Sequence, residues 1–354
     1  RFSLPAATPI IFNLCIIFSA FTLAPLFSIP IIGLAWGVLL AGIIQLLIQL
    51  APLSQIDRLP IPKIGLQNEG VKKVFILMLP AIIAGGVAQI NLLIDTVFAS
   101  LLITGSPTWL YVSDRLIQFP LGIFAIAIGT VLLPSLSSAN QRGDLTLYKE
   151  HLRKSQRLVI FLAIPSVIGL ALCSEHLIST LFQRGEFFYT DVTQASKSLI
   201  AFSFGLPFFM MMKVLVPAFF SRKDTKTPMY AALAALALNI ILNYYFAFTL
   251  GYGHIGLAFA SSISALLSTG ILYTILVKGN YIQLTSPLNR FNLAVILGSI
   301  SVILFLIYGP FNINFNSLSF IDRLITLSLE VAISILLYLL ITRAIFGRKL
   351  KELF

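Results

Sequence analysis

The chain has 354 residues, of which 58% are hydrophobic and only 10% are charged, and its formal net charge is +11. An average soluble domain carries roughly 25% charged residues, and a soluble protein of this size must cover its surface with polar groups. A mean hydropathy of +0.96 therefore nearly excludes a water-soluble globule. We expect lipid to be the main solvent of this protein.

Ten apolar stretches are long enough to cross about 30 Å of hydrocarbon as helices. Their 3.6-residue periodicity is blurred, as expected for helices with apolar neighbours or lipid on all sides, and the ten-residue alternation typical of outer-membrane barrels is absent. The sequence predicts an all-α, polytopic helical membrane protein. The ten predicted spans are 5–27, 32–51, 74–102, 110–133, 156–174, 192–219, 229–250, 255–277, 291–309 and 321–342.

Lysine and arginine are unevenly distributed over the connections between these spans. If Arg1 is cytoplasmic, 19 of the 24 basic residues fall at the cytoplasmic ends and connections. The opposite side holds Arg184, Arg323 and, near the end of its span, Lys197. This bias follows the positive-inside rule, so both ends of the chain are predicted to be cytoplasmic. The net positive charge is then explained by membrane topology and by attraction to anionic membrane lipids. Nucleic-acid binding is not expected.

Residues that commonly carry enzyme chemistry form no recognisable pattern. Cys15 and Cys173 lie within predicted spans and are interpreted as packing residues, because they lack the spacing of a metal or redox pair. The three histidines lie at connections without ligand neighbours, and no phosphate loop or nucleophile signature occurs. The sequence therefore gives no positive support for an enzyme or a metal centre.

Two polar connections divide the predicted spans into groups. The proline-rich segment 52–73 is interpreted as a linker between helical units, and the segment 278–290 separates six spans from a final pair. The predicted domains are 1–52, 70–279 and 290–346.

Charged side chains within the spans are the main functional candidates, because each costs about 2.5 to 3.5 kcal/mol at the bilayer centre. We interpret Lys213 as able to reach the cytoplasmic interface along its aliphatic stem. Glu330 shares a helix stripe with Thr326 and Ser334 and is interpreted as a packing or hydrogen-bonding residue. The other charged residues of this kind are Asp95, Asp114 and Arg115.

Helical spacing places Tyr111, Arg115 and Gln118 on one face of the fourth span, with Asp114 beside them. A guanidinium has five fixed donors and matches a phosphate bidentately. These four residues are therefore the predicted binding site for an anionic headgroup. One alternative is an Asp114–Arg115 pair, which is weakened because adjacent helical side chains point about 100° apart. The other is an arginine that reaches toward the outer interface.

A second polar group is predicted from three different spans. Asp95 lies in the third span, Asn239 and Asn243 are four residues apart in the seventh, and Ser261 is in the eighth. Carboxylate, amide and hydroxyl oxygens together can hold a hard cation. The alternative is plain hydrogen bonding between helices, which such residues commonly provide in membranes.

Three segments occur in the order in which a known family has them: DRLIQFPLGIFAIAIGTVLLPSLS at 114–137, LFQRGEF at 181–187 and KVLVPAFFSRKDTKTP at 213–228. Together they resemble the MurJ/MviN lipid II flippases of bacterial peptidoglycan synthesis. The resemblance covers essentially the whole chain and implies that its ten spans are the last ten of the family's fourteen. Arg1 directly precedes an apolar span without an initiator Met, so we expect the C-terminal part of a longer protein.

The resemblance implies the two-lobe architecture of the multidrug/oligosaccharidyl-lipid/polysaccharide exporter superfamily, with the first lobe incomplete here. It also implies a C-terminal helix pair that forms a groove for the lipid tail. The implied activity is alternating-access transport of lipid II, the undecaprenyl-pyrophosphate-linked disaccharide-pentapeptide, across the bacterial inner membrane. We expect a protein that works as a monomer.

The resemblance also assigns residues. A cavity arginine of the family matches Arg115, whereas many members carry an acidic residue where this chain has Gln118. Some members bind Na+ between the helices that match spans three, seven and eight. The residues at those positions are Asp95, Asn239, Asn243 and Ser261.

Three other functions remain open at this level. A polysaccharide-unit flippase or a drug/cation antiporter of the same superfamily would share the lobes, although neither is expected to carry the 114–137 segment. A membrane enzyme acting on polyprenyl phosphates would need an acid, base or metal cluster that the sequence does not display. A binding or scaffold role is the third.

Overall fold

The computed structural model describes residues 3–54, 69, 86–87, 89–282, 289–311, 313 and 315–347, and these residues form helices, turns and short connections without a strand. The all-α prediction is confirmed. The chain divides into two compact units, Arg1–Phe75 and Ile76–Phe354. This division leaves the predicted domain boundaries at 52, 70, 279 and 290 as predictions.

Residues 3–54 of the first unit form a helix pair. Helices α1 (Ser3–Thr22) and α2 (Pro30–Ser54) are joined through a single 3-10 turn. Gly37 allows the two helices to approach closely, because a Cβ at this position would collide with the Ser19 side chain. Near the other end of the pair, Gln45 Nε2 donates to the Thr8 carbonyl oxygen at 2.7 Å.

Within the described residues, the second unit begins with the helical residues 86–87 and 89–100, and the helix 89–100 is called α3. The remaining helices of this unit are α4 (Ser106–Pro120), α5 (Ile126–Gln141), α6 (Leu145–Leu172), α7 (Ser174–Phe182), α8 (Tyr189–Ser203), α9 (Leu206–Phe220), α10 (Lys226–Tyr244), α11 (Gly253–Lys278), α12 (Arg290–Tyr308) and α13 (Phe320–Phe346). Helices α4 and α5 are separated only by one wide π turn, Leu121–Ala125, and a second π turn, Tyr245–Thr249, follows α10.

Eight helical segments among the described residues are long and apolar enough to cross a membrane. A ninth span results when α8 and α9, which are bent by 42° at a short break, are counted together. These nine correspond to nine of the ten predicted spans. The third, 74–102, lies partly outside the described residues, and its last part is α3.

The core of the second unit lies where α5, α6, α9 and α11 meet. Tyr148 of α6 is buried there, and its hydroxyl donates to the Ala218 carbonyl oxygen at 2.6 Å. Burying a phenol requires such a partner, because an unpaired hydroxyl away from water costs about 1 to 3 kcal/mol. The bond holds the start of α6, which is predicted to lie on the cytoplasmic side, against α9.

The last two helices pack along each other and onto α6 and α7. A Cβ at Gly298 of α12 would lie 2.9 Å from the Thr342 side chain and 3.0 Å from the Tyr338 ring, so glycine permits the close approach of α13. The Tyr338 hydroxyl donates to the Phe161 carbonyl oxygen of α6 at 2.7 Å. The pair is thereby attached to α6 through a small apolar cluster of its own.

Large apolar side chains cover the outside of these helices. Of the 18 most apolar consecutive residues, only 17% are buried in α13 and 33% are buried in α12. Such continuous apolar surfaces are unstable in water but stable in contact with lipid chains. The burial pattern therefore agrees with the polytopic membrane fold expected from composition.

Candidate functional site

Helix α4 carries the predicted headgroup site and begins at a glycine. Gly105 has φ +100°, and a Cβ there would lie 2.6 Å from the Trp109 ring. Only glycine adopts this left-handed conformation without strain, and only its missing Cβ leaves room for the indole. Pro120 and the π turn that follows end α4, so the helix is a separate 15-residue segment within a longer span.

One face of α4 is packed and the opposite face is exposed, as the spacing predicts. Tyr111, Arg115 and Gln118 are all exposed, and Gly122 continues the same face with open space where a Cβ would be. The Arg115 guanidinium lies over the Tyr111 ring, with its carbon 4.6 Å from the ring centroid. This cation–π contact orients the guanidinium and leaves its donors available.

Asp114 is half-buried and does not neutralise Arg115 through an ion pair. Its Oδ1 instead accepts a long hydrogen bond of 3.5 Å from Gln118 Nε2. Within the described part of the chain, the only basic and acidic side chains within 4 Å of each other are Lys154 with Glu150 and His176 with Glu330. Arg115 therefore presents its positive charge at the surface of a predicted span without a carboxylate partner among these residues.

The second predicted group, by contrast, is assembled into a continuous network. Asp95 Oδ1 accepts from Asn243 Nδ2 at 2.6 Å, and Asp95 Oδ2 accepts from Ser261 Oγ at 3.3 Å. Asn243 Nδ2 also donates to Asn239 Oδ1 at 2.9 Å, and Asn239 Nδ2 donates to Ser261 Oγ at 3.2 Å. The structure thus brings together all four residues, from α3, α10 and α11.

Asn91 extends this network from one turn earlier in α3, where its Nδ2 donates to Asp95 Oδ2 at 3.2 Å. Helical spacing predicts this contact, because residues four apart on a helix are neighbours. Asp95 Oδ1 therefore has a partner on α10, and Oδ2 has partners on α11 and on α3 itself.

The network has the donor atoms of a hard-cation site but is arranged as a hydrogen-bonded cluster. Asn239 and Asn243 are fully buried, and Asn243 Oδ1 accepts no hydrogen bond from the described residues. Rotating the Asn243 amide by 180° would turn this oxygen toward Asp95 and the nitrogen away from it. Without a cation, this rotation would break the hydrogen bonds to Asp95 and Asn239 and would place two acceptor oxygens against each other. No cluster of three or more His, Cys, Asp or Glu with metal-site geometry occurs among the described residues.

A buried contact between a histidine and a glutamate was missed by sequence reasoning. His176 Nδ1 of α7 lies 2.9 Å from Glu330 Oε2 of α13, and Glu330 is only 2% exposed. The His176 ring stacks on Phe315 with centroids 3.9 Å apart. Ser334 is expected to share a helix stripe with Glu330, and its hydroxyl donates to the Glu330 backbone carbonyl oxygen. The partners are 154 residues apart, so no local pattern could have linked them.

The connection between α9 and α10 lies within the 213–228 segment, and its backbone geometry accounts for residues in it. Lys223 has φ +60°, and Asp224 accepts from the Thr227 amide at 3.0 Å and from its hydroxyl at 2.6 Å. Burial favours the neutral acid, but these hydrogen bonds outweigh it and lower the pKa of Asp224 below its usual range. The ionised carboxylate caps the start of α10. Lys213, about two turns before the end of α9, is exposed.

A family model described as "Lipid II flippase MurJ" matches residues 1–336. The chain is 44% identical over 290 residues to the probable lipid II flippase MurJ of Vibrio cholerae, with 82% of this chain and 54% of the relative covered. It is 39% identical to that of Haemophilus influenzae, with 85% and 60% covered. The relative from Buchnera aphidicola subsp. Acyrthosiphon pisum is 34% identical, with 100% and 69% covered. The chain thus spans little more than half of the first two relatives.

Among solved structures, the chain resembles one described as lipid II flippase MurJ in the inward closed conformation. The TM-score is 0.75 at 27% sequence identity, with 98% of this chain and 68% of that chain covered. A MATE structure in the straight conformation matches with a TM-score of 0.51 at 18% identity, with 76% and 63% covered, and it shows a shared fold alone.

The Asp95–Asn243 hydrogen bond is expected to stabilise the attachment of α3 to α10. In a double-mutant cycle of Asp95→Ala and Asn243→Ala, the two variants should lower the free energy of unfolding by less in combination than the sum of their separate effects. The expected coupling is about 0.6 to 1.7 kcal/mol, the range of interhelical hydrogen bonds in membrane proteins. Thermal or denaturant unfolding of the purified protein measures it.

Ser100→Ala is the matched control, because the Ser100 hydroxyl bonds only the Val97 carbonyl of its own helix. It should show no coupling to Asn243→Ala. Additive effects of Asp95→Ala and Asn243→Ala would contradict the bond.

Proposed function

Because this chain belongs to the lipid II flippase MurJ family, we propose that the protein transports lipid II from the cytoplasmic to the outer leaflet of the membrane. The substrate is an undecaprenyl pyrophosphate that carries a disaccharide-pentapeptide. The protein acts as a transporter, since moving the headgroup across the bilayer breaks and forms no covalent bond. The observation that carries the proposal is the exposed Arg115, which lies in an apolar span and has no ion-pair contact with a carboxylate among the described residues.

The chemistry of Arg115 fits a pyrophosphate. A guanidinium remains charged at every relevant pH and offers paired donors that match two phosphate oxygens. Tyr111 supports it from one side through its ring, and Gln118 and Asp114 add polar atoms on or beside the same face. A positive charge that has no carboxylate partner is most stable against water or a bound anion, so the exposed face of α4 is proposed to line the headgroup's path.

The proposed cycle uses alternating access. The headgroup enters from the cytoplasmic side, Arg115 neutralises part of its pyrophosphate charge, and the polyprenyl tail remains in lipid beside α12 and α13. A conformational change then exposes the headgroup to the outer side. A transmembrane potential or an ion gradient can bias such a cycle, because it acts on the charges that move.

The protein is a multi-pass protein of the inner membrane. We propose that both ends of this chain are cytoplasmic, where the 19 basic residues counted on that side contact anionic phospholipid headgroups. We further propose that one copy suffices for transport, with the tail beside the C-terminal helix pair.

We also propose that the Asp95 network binds Na+. Asp95 supplies the negative charge, and the oxygens of Asn239, Asn243 and Ser261 supply neutral ligands once the Asn243 amide is reversed. Burial of both asparagines supports this assignment, because a dry site strengthens the attraction between the cation and the carboxylate. The bound ion would replace hydrogen bonds that now hold α3 to α10 and α11.

Arg115→Ala is expected to abolish growth support in cells depleted of their own lipid II flippase, with the protein expressed as its gene encodes it. Losing a charge-assisted bond of about 1.5 to 3 kcal/mol weakens headgroup binding roughly ten- to hundredfold. Arg115→Lys should support partial growth, because the charge remains but the bidentate geometry is lost.

The matched control is Arg142→Ala, since Arg142 is an exposed arginine at the end of α5 that lies outside the proposed path. It should support normal growth. Normal growth with Arg115→Ala at a normal membrane level would exclude the proposed role of Arg115.

Sodium is expected to raise the unfolding temperature of the purified protein relative to the same concentration of choline. The stabilisation follows from binding to the folded state alone and should grow with concentration as RT ln(1 + [Na+]/Kd). It should vanish in Asp95→Ala and persist in Glu186→Gln, which removes an exposed acidic charge from a connection. A sodium effect that survives Asp95→Ala would place the ion elsewhere.

A further inference from the structure

The rotation of α4 about its axis is not fixed by the helix that follows it. The π turn at Leu121–Ala125 interrupts the regular α-helical hydrogen bonding, and a wide turn of this kind changes the register in which side chains project. At its other end, α4 begins directly at the left-handed Gly105. Lateral contacts must therefore fix the rotation of α4 about its axis.

Those contacts come mainly from α8. Trp109 Nε1 donates to Asp191 Oδ1 at 2.8 Å, and Ser113 Oγ donates to the Ala195 carbonyl oxygen at 2.7 Å. Asp191 Oδ2 also accepts from the Phe188 amide at 2.9 Å. One carboxylate thus caps the first turn of α8, where negative charge is favourable, and holds the indole of α4.

His254 of α11 completes the arrangement. Its ring meets Trp109 edge-on, with centroids 4.8 Å apart, and it is 4% exposed. Its Nδ1 lies 2.6 Å from Ser198 Oγ, so the imidazole is itself held by α8. The residues Trp109, Ser113, Asp191 and His254 are called the α4 brace below.

The brace and Arg115 lie on opposite sides of α4. Trp109 and Ser113 are buried, and Ser113 is two residues, or about 200°, from Arg115. A rotation of α4 that exposed the brace would turn Arg115 toward the packed core.

We propose that Asp191 is a positioning residue, which acts through Trp109 to orient Arg115 toward the headgroup. Arg115 acts only in the orientation that the α4 brace fixes, and the inference therefore rests on the proposed function. The geometry that carries it is a hydrogen bond between the buried Trp109 indole and the half-buried Asp191 carboxylate, away from the binding face.

Thiol labelling with a membrane-impermeant, water-soluble maleimide tests the rotation. The whole protein is used, with Cys15→Ala and Cys173→Ala and without other cysteines. One reporter is Gln118→Cys on the exposed face, and the other is Leu116→Cys, whose parent side chain is 8% exposed on the packed face. With the brace intact, position 118 should label many-fold faster than position 116.

Asp191→Ala should reduce this labelling ratio several-fold and reduce lipid II transport in parallel. Trp109→Phe should do the same while it leaves the cap of α8 intact, so a folding defect of α8 cannot account for both results. Asp191→Asn should retain most of the ratio, because an amide oxygen still accepts from the indole. Asp322→Asn is the matched control, since Asp322 lies in the first turn of α13 and bonds Ser319.

Three results would overturn the inference. An unchanged ratio in Asp191→Ala and Trp109→Phe overturns it while the headgroup path stands. An equal loss in Asp322→Asn shows a general loss of stability instead of a specific rotation. Absence of labelling at position 118 in the parent shows that the Arg115 face is not water-accessible, and this result overturns the proposed function as well.

Discussion

A polar group inside a bilayer must either be hydrogen-bonded within the protein or face water, because hydrocarbon offers it no partner. Three ionisable side chains within the described spans meet that constraint in two ways. Asp95 and Glu330 are enclosed by partners from other helices, at 2.6 Å from Asn243 and 2.9 Å from His176. Arg115 is exposed and has no carboxylate within ion-pair distance among the described residues. The difference separates structural charges from the proposed functional charge.

The membrane fold was largely predictable because the signal is local. Hydropathy and length identified nine spans that the structure bears out, and helical spacing placed Tyr111, Arg115 and Gln118 on the exposed face of α4. Motif order led to the family that the comparisons support. The same local reasoning could not find the His176–Glu330 pair, since helix packing alone brings these residues together.

The polar group around Asp95 shows where sequence reasoning stops. The residue types and their spacing predicted that Asn239, Asn243 and Ser261 would meet Asp95, and the hydrogen bonds agree. Whether the cluster serves as an ion site depends on amide orientation, which residue identity does not encode. The π turn after Pro120 was likewise invisible, although it makes α4 depend on α8 for its orientation.

The central claim is that Arg115 binds an anionic headgroup, and direct binding tests it most closely. The purified protein should bind an undecaprenyl pyrophosphate substrate more tightly than the corresponding uncharged polyprenol, as measured by native mass spectrometry in detergent. Arg115→Gln should weaken binding of the pyrophosphate at least about tenfold, the effect of losing roughly 1.4 kcal/mol, and should leave binding of the polyprenol unchanged. Equal affinities of the parent and Arg115→Gln for the pyrophosphate would contradict the account.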